Sequence, residues 1–558
     1  MKNVRNFRYM HRSVFTAAVL VLLVLVTTQS FADDERYIKI NRSIELFGRV
    51  YQEIINNYVD EIDPEKFMRA GIDGMLNALD PYTVYIDERG RDEVDLLTTG
   101  RYGGVGVSIG MRNGAVTITS VTEGYAAEKQ GLMIGDRIIS VEGVDVEDIP
   151  LSEIRSMVRG EPGTTVDLKI EREGHDGRLS FSLVRESVRV RNVSYADFID
   201  DGIVYIKLDR FSRGAGGETR QVLRELRQND IIDGVILDLR NNSGGLLDAA
   251  VEVTNIFVPR GSLIVSTRGR TSDSVRRYQA SQEPLLPDVP LVVLINHNSA
   301  SASEIVAGAI QDLDRGVLVG TRSFGKGLVQ TVANLRSNSQ LKITTSRYYT
   351  PSGRSIQTAD YLSDAPKGLF AVDTDSLHSE YKTNAGRVVF EGKGVDPDTT
   401  VEMPGRSSYV EQLNRQAMVF MFATSLVHSG EYAEEKPAVD DTVLERFGTF
   451  LNDKGFEYTE AGEEKLDELR KIAEQENYSE QFFKDLAELE LYITEDKEHA
   501  FERHRGEVKR ELISELASRY NGSRGRIETE LEHDRQFLTA VDLLKNKPVY
   551  EHQLSAAE

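Results

Sequence analysis

Between residues 41 and 79, apolar positions recur at spacings of three and four (Leu46, Val50, Ile54, Ile55, then Phe67, Ile72, Leu76, Leu79), which predicts amphipathic helices. From Arg101 to Glu186 the pattern changes to short β-runs between glycine turns, among them Gly103–Val107, Val116–Ile118, Arg137–Val141 and Val166–Ile170, so a small β-rich domain is expected. From Gly202 to Gly327 strands alternate with helices: Ile203–Leu208, a helix near Glu218–Arg227, Gly234–Leu239, a helix near Leu247–Phe257, Leu291–Asn296, a helix near Ser301–Leu313, and Val317–Val319. This alternation predicts an α/β layer with crossover connections. Two of its strands, Val235–Leu237 and Leu291–Ile295, are continuously apolar, as strands covered on both faces are. Strand-like patterning resumes after Gln330 and runs to Pro404, interrupted by a polar stretch at Thr358–Asn384. Beyond Pro404 helical periodicity and charge dominate, and the expectation there is a solvated helical module.

At 558 residues the chain divides into three or four folding units. Its 67 Lys plus Arg against 90 Asp plus Glu leave a net charge of −23, which argues against nucleic acid or anionic lipid as a partner. Residues 431–558 alone hold 15 of these excess negative charges. Cysteine is absent, so disulfides, thiolate metal sites and cysteine nucleophiles are excluded. Lys2, Arg5, Arg8, His11 and Arg12 precede an uncharged 14-residue run, Ser13–Val26, and then Ser30-Phe31-Ala32. The run is short for a membrane span and reads as a secretory signal cleaved after Ala32. An uncleaved anchor has the same topology, so either reading places the remainder outside the cytoplasm, in the periplasm.

The densest chemical signal is Asn298-Ser299-Ala300-Ser301-Ala302-Ser303-Glu304, between the apolar strand and a periodic helix. A serine at a strand-to-helix turn exposes its hydroxyl beside unpaired helix N–H groups that suit a developing oxyanion. Ser301-Ala302-Ser303-Glu304 equally fits a capping box that does no more than satisfy those N–H groups. A nucleophilic serine needs a base. Eight of the nine histidines lie far from this segment, and His297 carries the polarity of a strand end. Lys326, between Gly325 and Gly327, follows a segment (Val317–Gly320) expected to run beside the serine strand, and a desolvated lysine loses its proton readily. Gly320–Lys326 also matches the start of a phosphate-binding P-loop, but the next position is Gly327 where that loop needs Ser or Thr for magnesium. A second glycine cluster, Asp238–Leu246, follows the other buried strand. It reads either as a helix-start turn or as the donor of a second N–H to a substrate carbonyl.

Taken together and in this order, these pieces resemble the carboxy-terminal processing peptidases, or tail-specific proteases. The resemblance runs from Tyr51 to Pro404 and is carried by Asn57–Asp60, Leu79-Asp80-Pro81-Tyr82-Thr83, Gly103–Val107 with Gly131–Asp136, Arg159–Thr164, Asp238–Leu246, Ser299–Glu304, Phe324–Gly327 with Gln330, and Tyr348–Arg354. It implies a crotonase/ClpP-like α/β serine protease core (187–405) with an inserted PDZ domain (98–186), after a signal peptide (1–32) and an N-terminal helical segment (35–97) and before a C-terminal helical domain (406–558). By resemblance Ser301 is the nucleophile, Lys326 the base and Gln330 the residue that orients it. The N–H groups of Ala302 and of Gly244 or Gly245 then hold the oxyanion, and Asp312 is structural support. Ser243 stands where many members have proline. The PDZ insert implies that Tyr102, Gly103, Gly104, Val105, Gly106 and Val107 receive a free peptide carboxylate, with Arg159 linking a bound tail to the core. Substrates are then proteins or peptides with free C-termini, and no metal or organic cofactor is needed. The helical tail is of a kind that dimerises or binds an adaptor, and the sequence does not choose between the two. The rival expectation is a PDZ scaffold that binds peptides without cleaving them.

Overall fold

The computed structural model describes residues 37–555 apart from 88–89, 272–273, 337–338, 358–378, 393 and 431–437. The secretory signal at 1–32 and most of the polar stretch at 358–384 therefore lie outside the described residues. The described residues up to Leu79 form one compact unit and those from Asp80 onward a second.

In the first unit a helix over 37–57 is followed by a helix at Pro64–Leu76. The second helix starts where the pattern says it should: Asp63 caps the N–H groups of Glu65 and Lys66, and Pro64 occupies the first turn. Tyr51 ties the two together by stacking on Phe67 at 5.8 Å and donating its hydroxyl to the Pro64 carbonyl.

The second unit is built on a six-stranded sheet. Val193–Asp200 runs antiparallel to Ile203–Leu208, which is followed in space by the parallel strands Gly234–Asp238, Leu291–Ile295, Val317–Gly320 and Thr399–Thr400. Because side chains alternate along a strand, the apolar run Leu291–Ile295 divides between two cores. Leu291, Val293 and Ile295 face the layer that holds the helices Ala215–Asn229, Leu247–Thr254 and Ala302–Asp312, whereas Val292 and Leu294 face the other side.

That other side is covered by the end of the chain. Phe537, Ala540, Val541 and Leu543 of the helix Arg535–Lys545, with Tyr550 of Lys547–Gln553, pack on Tyr205, Ile236, Val292, Leu294, Val317 and Val319. The Tyr550 hydroxyl also bonds both the N–H (2.9 Å) and the carbonyl (3.1 Å) of Leu291. At the far strand ends the buried Asp238 carboxylate meets Arg240, which reaches Asp534 at 2.6 Å and Gln536 at 2.9 Å. The expectation of a solvated helical module is corrected here. The tail has an apolar core of its own around Phe422, Phe447 and Leu512, and its last two helices complete the core of the sheet. Each such large side chain taken from water contributes about 1.5–3 kcal/mol, so the docked face is a substantial part of the stability.

A second sheet joins Val84–Ile86, Leu328–Asn334, Gln340–Tyr349, Leu263–Gly269 and Arg276–Gln279. The β-rich insert leaves and re-enters the core through an antiparallel ribbon, Arg101–Gly104 with Glu186–Arg189. Its own sheet, Val107–Arg112 through Arg178–Val184, closes over Ile118, Ile138, Ile154, Leu168 and Ile170. The insert also rests on the C-terminal helix Met418–His428. His428 Nε2 lies 3.2 Å from the Ile134 carbonyl, and the Phe420 ring is flanked by the guanidinium groups of Arg112 and Arg519. Among the described residues no helix is long and apolar enough to cross a membrane.

Candidate active site

The three serines of the strand-to-helix turn are separated by what surrounds them. Ser299 is buried and donates its hydroxyl to the Leu239 carbonyl, while Ser303, also buried, donates to the Asn242 carbonyl. Ser301 between them remains partly exposed and has φ 55° and ψ −110°. For a residue with a side chain this backbone is strained, at a cost of about 1–3 kcal/mol, and it persists only where the surroundings impose it.

Glu304 is one of the groups that impose it. Its carboxylate is fully buried; Oε2 accepts from the Ser301 N–H (2.8 Å) and the Lys326 N–H (2.9 Å), and Oε1 from the Gly325 N–H and the Ser323 hydroxyl, both at 2.6 Å. Burial pushes its pKa up, against these four bonds, which favour the charged form. Glu304 thus makes its own half of the expected capping box, and it has a second role as the tie between the serine turn and the lysine loop. Tyr348 ties them again: its hydroxyl lies 3.1 Å from the Ser301 carbonyl and 2.5 Å from that of Lys326.

Lys326 is largely shielded from water, and its pKa is pulled down to about 8. Burial is the main cause and the charge of Lys342 adds to it, against Glu304 and Asp80, which act to raise it. Its ammonium nitrogen sits 3.9 Å from the centroid of the Tyr82 ring. The loop continues into the strand Leu328–Asn334 and not into a helix. A P-loop holds phosphate at a helix N-terminus, so the nucleotide alternative loses its structural basis. Gln330, expected to orient the lysine, directs its amide to Thr344 Oγ1 at 3.2 Å.

The glycine turn abuts the serine. Gly244 has φ 101°, and a Cβ there would lie 2.6 Å from the Ala300 carbonyl oxygen, 2.8 Å from Ser301 Cβ and 2.9 Å from Ala302 N. Only glycine combines that backbone with that approach. The Gly244 N–H is already bonded to Asn242 Oδ1 at 2.9 Å. Gly245 is exposed and pairs with Phe211 in a bridge that uses the Gly244 carbonyl and the Leu246 N–H. Of the two glycines expected to supply a donor, Gly244 is the one packed against Ala302 N, with its N–H engaged by Asn242, whereas Gly245 is exposed and packed on Phe211. Asp312 stands at the other end of that helix, paired with the buried Arg354 at 2.9 Å and accepting from the Ser352 N–H.

Four family descriptions match this chain: peptidase family S41 at residues 202–365, the PDZ domain at 93–171, the activating protease CtpB N-terminal domain at 24–90, and the C-terminal helical domain of a probable PDZ-protease at 409–544. The carboxy-terminal-processing protease of Bartonella bacilliformis is 37% identical over 372 residues, which cover 65% of this chain and 83% of that one. The chain belongs to the carboxy-terminal-processing proteases of peptidase family S41. This protease is also 30% identical over 380 residues to the carboxy-terminal processing protease CtpB of Bacillus subtilis, covering 66% and 78% of the two chains. The solved photosystem II D1 C-terminal processing protease aligns over 64% of this chain and 92% of its own at 27% identity, with a TM-score of 0.33.

In the PDZ domain of the protease, Tyr102, Gly103 and Gly104 belong to the ribbon strand, Val105 is buried, Gly106 has φ 87° and Val107 opens the first sheet strand. Arg159 ends the helix Leu151–Val158 and places its guanidinium 5.0 Å from the centre of the Tyr102 ring. The loop and its arginine therefore meet, and they border a cleft of about 2880 Å³ that the core and the C-terminal helices also line. Four residues near the dyad candidates were not singled out from the sequence: Glu304 beyond its capping role, Tyr348, Tyr82 and Lys342. Tyr82 and Tyr348 stood inside motifs that carried the resemblance, but nothing in those motifs says which groups they touch.

Proposed function

We propose that this enzyme is an exported serine endopeptidase that captures the free C-terminus of a protein substrate in its PDZ domain and cleaves with Ser301 and Lys326. In this reading neutral Lys326 takes the proton from the Ser301 hydroxyl as Oγ attacks the scissile carbonyl carbon. The ammonium then returns that proton to the leaving amine, which departs and leaves an acyl-serine. Water then attacks the acyl carbon while giving a proton to Lys326, and the lysine returns that proton to Ser301 Oγ as the acyl–oxygen bond breaks and the new carboxyl terminus is released. The N–H groups of Ala302 and of Gly244 or Gly245 hold the oxyanion in both steps. Gln330 belongs to the same set as an orienting residue, acting after its amide leaves Thr344.

The observation that carries the reading is the double tie, through Glu304 and Tyr348, between a strained, partly exposed serine and a lysine held near pKa 8. Capture of a carboxylate by Tyr102–Val107, with Arg159 as the link to the core, is supported by the stacking of Arg159 on Tyr102. Export to the periplasm rests on the charged and apolar pattern of residues 1–32. A homodimer or adaptor on the C-terminal helical domain is supported by exposed apolar side chains there, Ile472, Leu489, Leu491 and Tyr492.

The test compares wild type with Ser301→Ala and Lys326→Met on a peptide bearing a free apolar C-terminus. Loss of hydrolysis with retained peptide binding in both variants is expected. Hydrolysis by Ser301→Ala at the wild-type rate refutes the assignment, and absence of hydrolysis by the wild type favours the scaffold.

A further inference from the structure

The proposed mechanism leaves one contact unused, the seat of the Lys326 ammonium on Tyr82. A cation over an aromatic face is held by the ring quadrupole, and a neutral amine is not. The 3.9 Å separation lies well inside the range of that attraction.

The ring is no loose surface group, because its turn is fastened on both sides. Asp80 Oδ1 accepts the N–H groups of Tyr82 and Thr83, each at 2.9 Å, and Oδ2 accepts the Thr83 hydroxyl. Thr83 is buried and its oxygen accepts the Thr344 N–H at 3.2 Å. The Thr344 hydroxyl reaches Asp80 at 3.3 Å and receives the Gln330 amide. The turn that carries the ring and the Gln330 amide are therefore one hydrogen-bonded assembly on the strand Gln340–Tyr349, the strand that also carries Tyr348 and Lys342. The charged and titratable groups facing Lys326 are Glu304 from the nucleophile helix, Asp80 from this turn, and Lys342 and Tyr348 from this strand.

We infer that Tyr82 is a positioning residue that parks the protonated Lys326 on its ring, so that loss of the proton and release of the side chain toward Ser301 are one event. The inference rests on the serine–lysine reading and adds to it: the protonated lysine is held off the hydroxyl as well as being unable to accept its proton. Because the ring favours the ammonium, its removal lowers the pH at which the amine titrates. Leucine keeps the apolar cover and loses the π face, whereas phenylalanine keeps both.

The experiment uses full-length protein in the Ser301→Ala background with 13Cε-lysine, the Lys326 signal being assigned by its loss in Lys326→Met. In Tyr82→Leu the amine is expected to titrate about one pH unit lower than in the Ser301→Ala parent, the size of a partly desolvated cation–π contact. Tyr82→Phe is expected to keep the titration where the unmodified ring has it. With Ser301 restored, the acid limb of kcat/KM in Tyr82→Leu moves down by the same amount, about a tenfold gain well below that limb. Thr344→Val loosens the turn without touching the ring and is expected to shift the titration in the same direction by less. An unmoved or raised titration in Tyr82→Leu, or an equal shift in Tyr82→Phe, overturns the inference. Should the serine–lysine reading fail instead, the activity measurements fail alone, and the titration still decides the Tyr82 contact.

Discussion

Gly244→Ala probes the approach of the glycine turn to the nucleophile helix. The glycine holds φ 101°, where an alanine costs about 1–3 kcal/mol in backbone strain. Its methyl would meet the Ala300 carbonyl oxygen at 2.6 Å and Ala302 N at 2.9 Å. Recovering even a 3.0 Å approach displaces the Ala300 carbonyl by roughly 0.4 Å and carries Ser301 and the Ala302 N–H with it. Misplaced reacting groups and a disturbed oxyanion donor together cost about 10²–10³ in kcat. The effect on KM is expected to be small, since the PDZ groove is untouched. Steady-state hydrolysis of a fluorogenic peptide with a free C-terminus measures both constants. Thermal unfolding of the same sample checks that the loss is local, with a fall of roughly 2–4 °C for each kcal/mol of strain in a core of this size. A kcat within about threefold of wild type, that is less than ~0.7 kcal/mol in the barrier, would refute the placement of the oxyanion donors beside this glycine.

The acid limb of kcat/KM is expected at a pH of about 8, because the lysine works as the neutral amine and activity therefore rises as pH passes its pKa. Lys342→Met removes a like charge, raises that pKa and moves the limb to higher pH, and a downward movement in the pH–rate profile contradicts the electrostatic account. In Glu304→Gln an amide N–H₂ replaces one carboxylate oxygen and must face two donors. About 1–3 kcal/mol per stranded donor is lost, seen as a lower denaturation midpoint together with impaired kcat, and unchanged stability would show that the tie is dispensable. Tyr550→Phe deletes the hydroxyl on Leu291 and is expected to cost about 1–2 kcal/mol in urea unfolding, whereas a neutral result would mean that the tail docks through its apolar contacts alone.

Much of this protein could be read along the chain. The continuously apolar Val235–Leu237 and Leu291–Ile295 announced strands buried on both faces, and the turn holding Ser301 followed from a strand signal running straight into a helix signal. Such features are local, set by side-chain period and by the chemistry of neighbouring residues. Which layer covers the second face of the sheet was not readable, because Phe537 and Val541 meet Val292 and Leu294 from about 250 positions away, and a charged amphipathic tail has the same pattern whether it faces water or another domain. The site divides in the same way. Serine, lysine and glycine types were visible in sequence, but three serines in five residues have nearly equal propensities, and only the carbonyls of Leu239 and Asn242, brought in by another strand end, engage two of them and leave Ser301 open. Likewise the packing of Gly244 against Ala300 and Ala302, the bonds of Glu304 to the lysine loop and the seat of Lys326 on Tyr82 each depend on segments that folding brings together. Short-range pattern specifies which elements form. Partner choice, burial and proton affinity arise from contacts between residues far apart in the chain, and those exist only once the elements have packed.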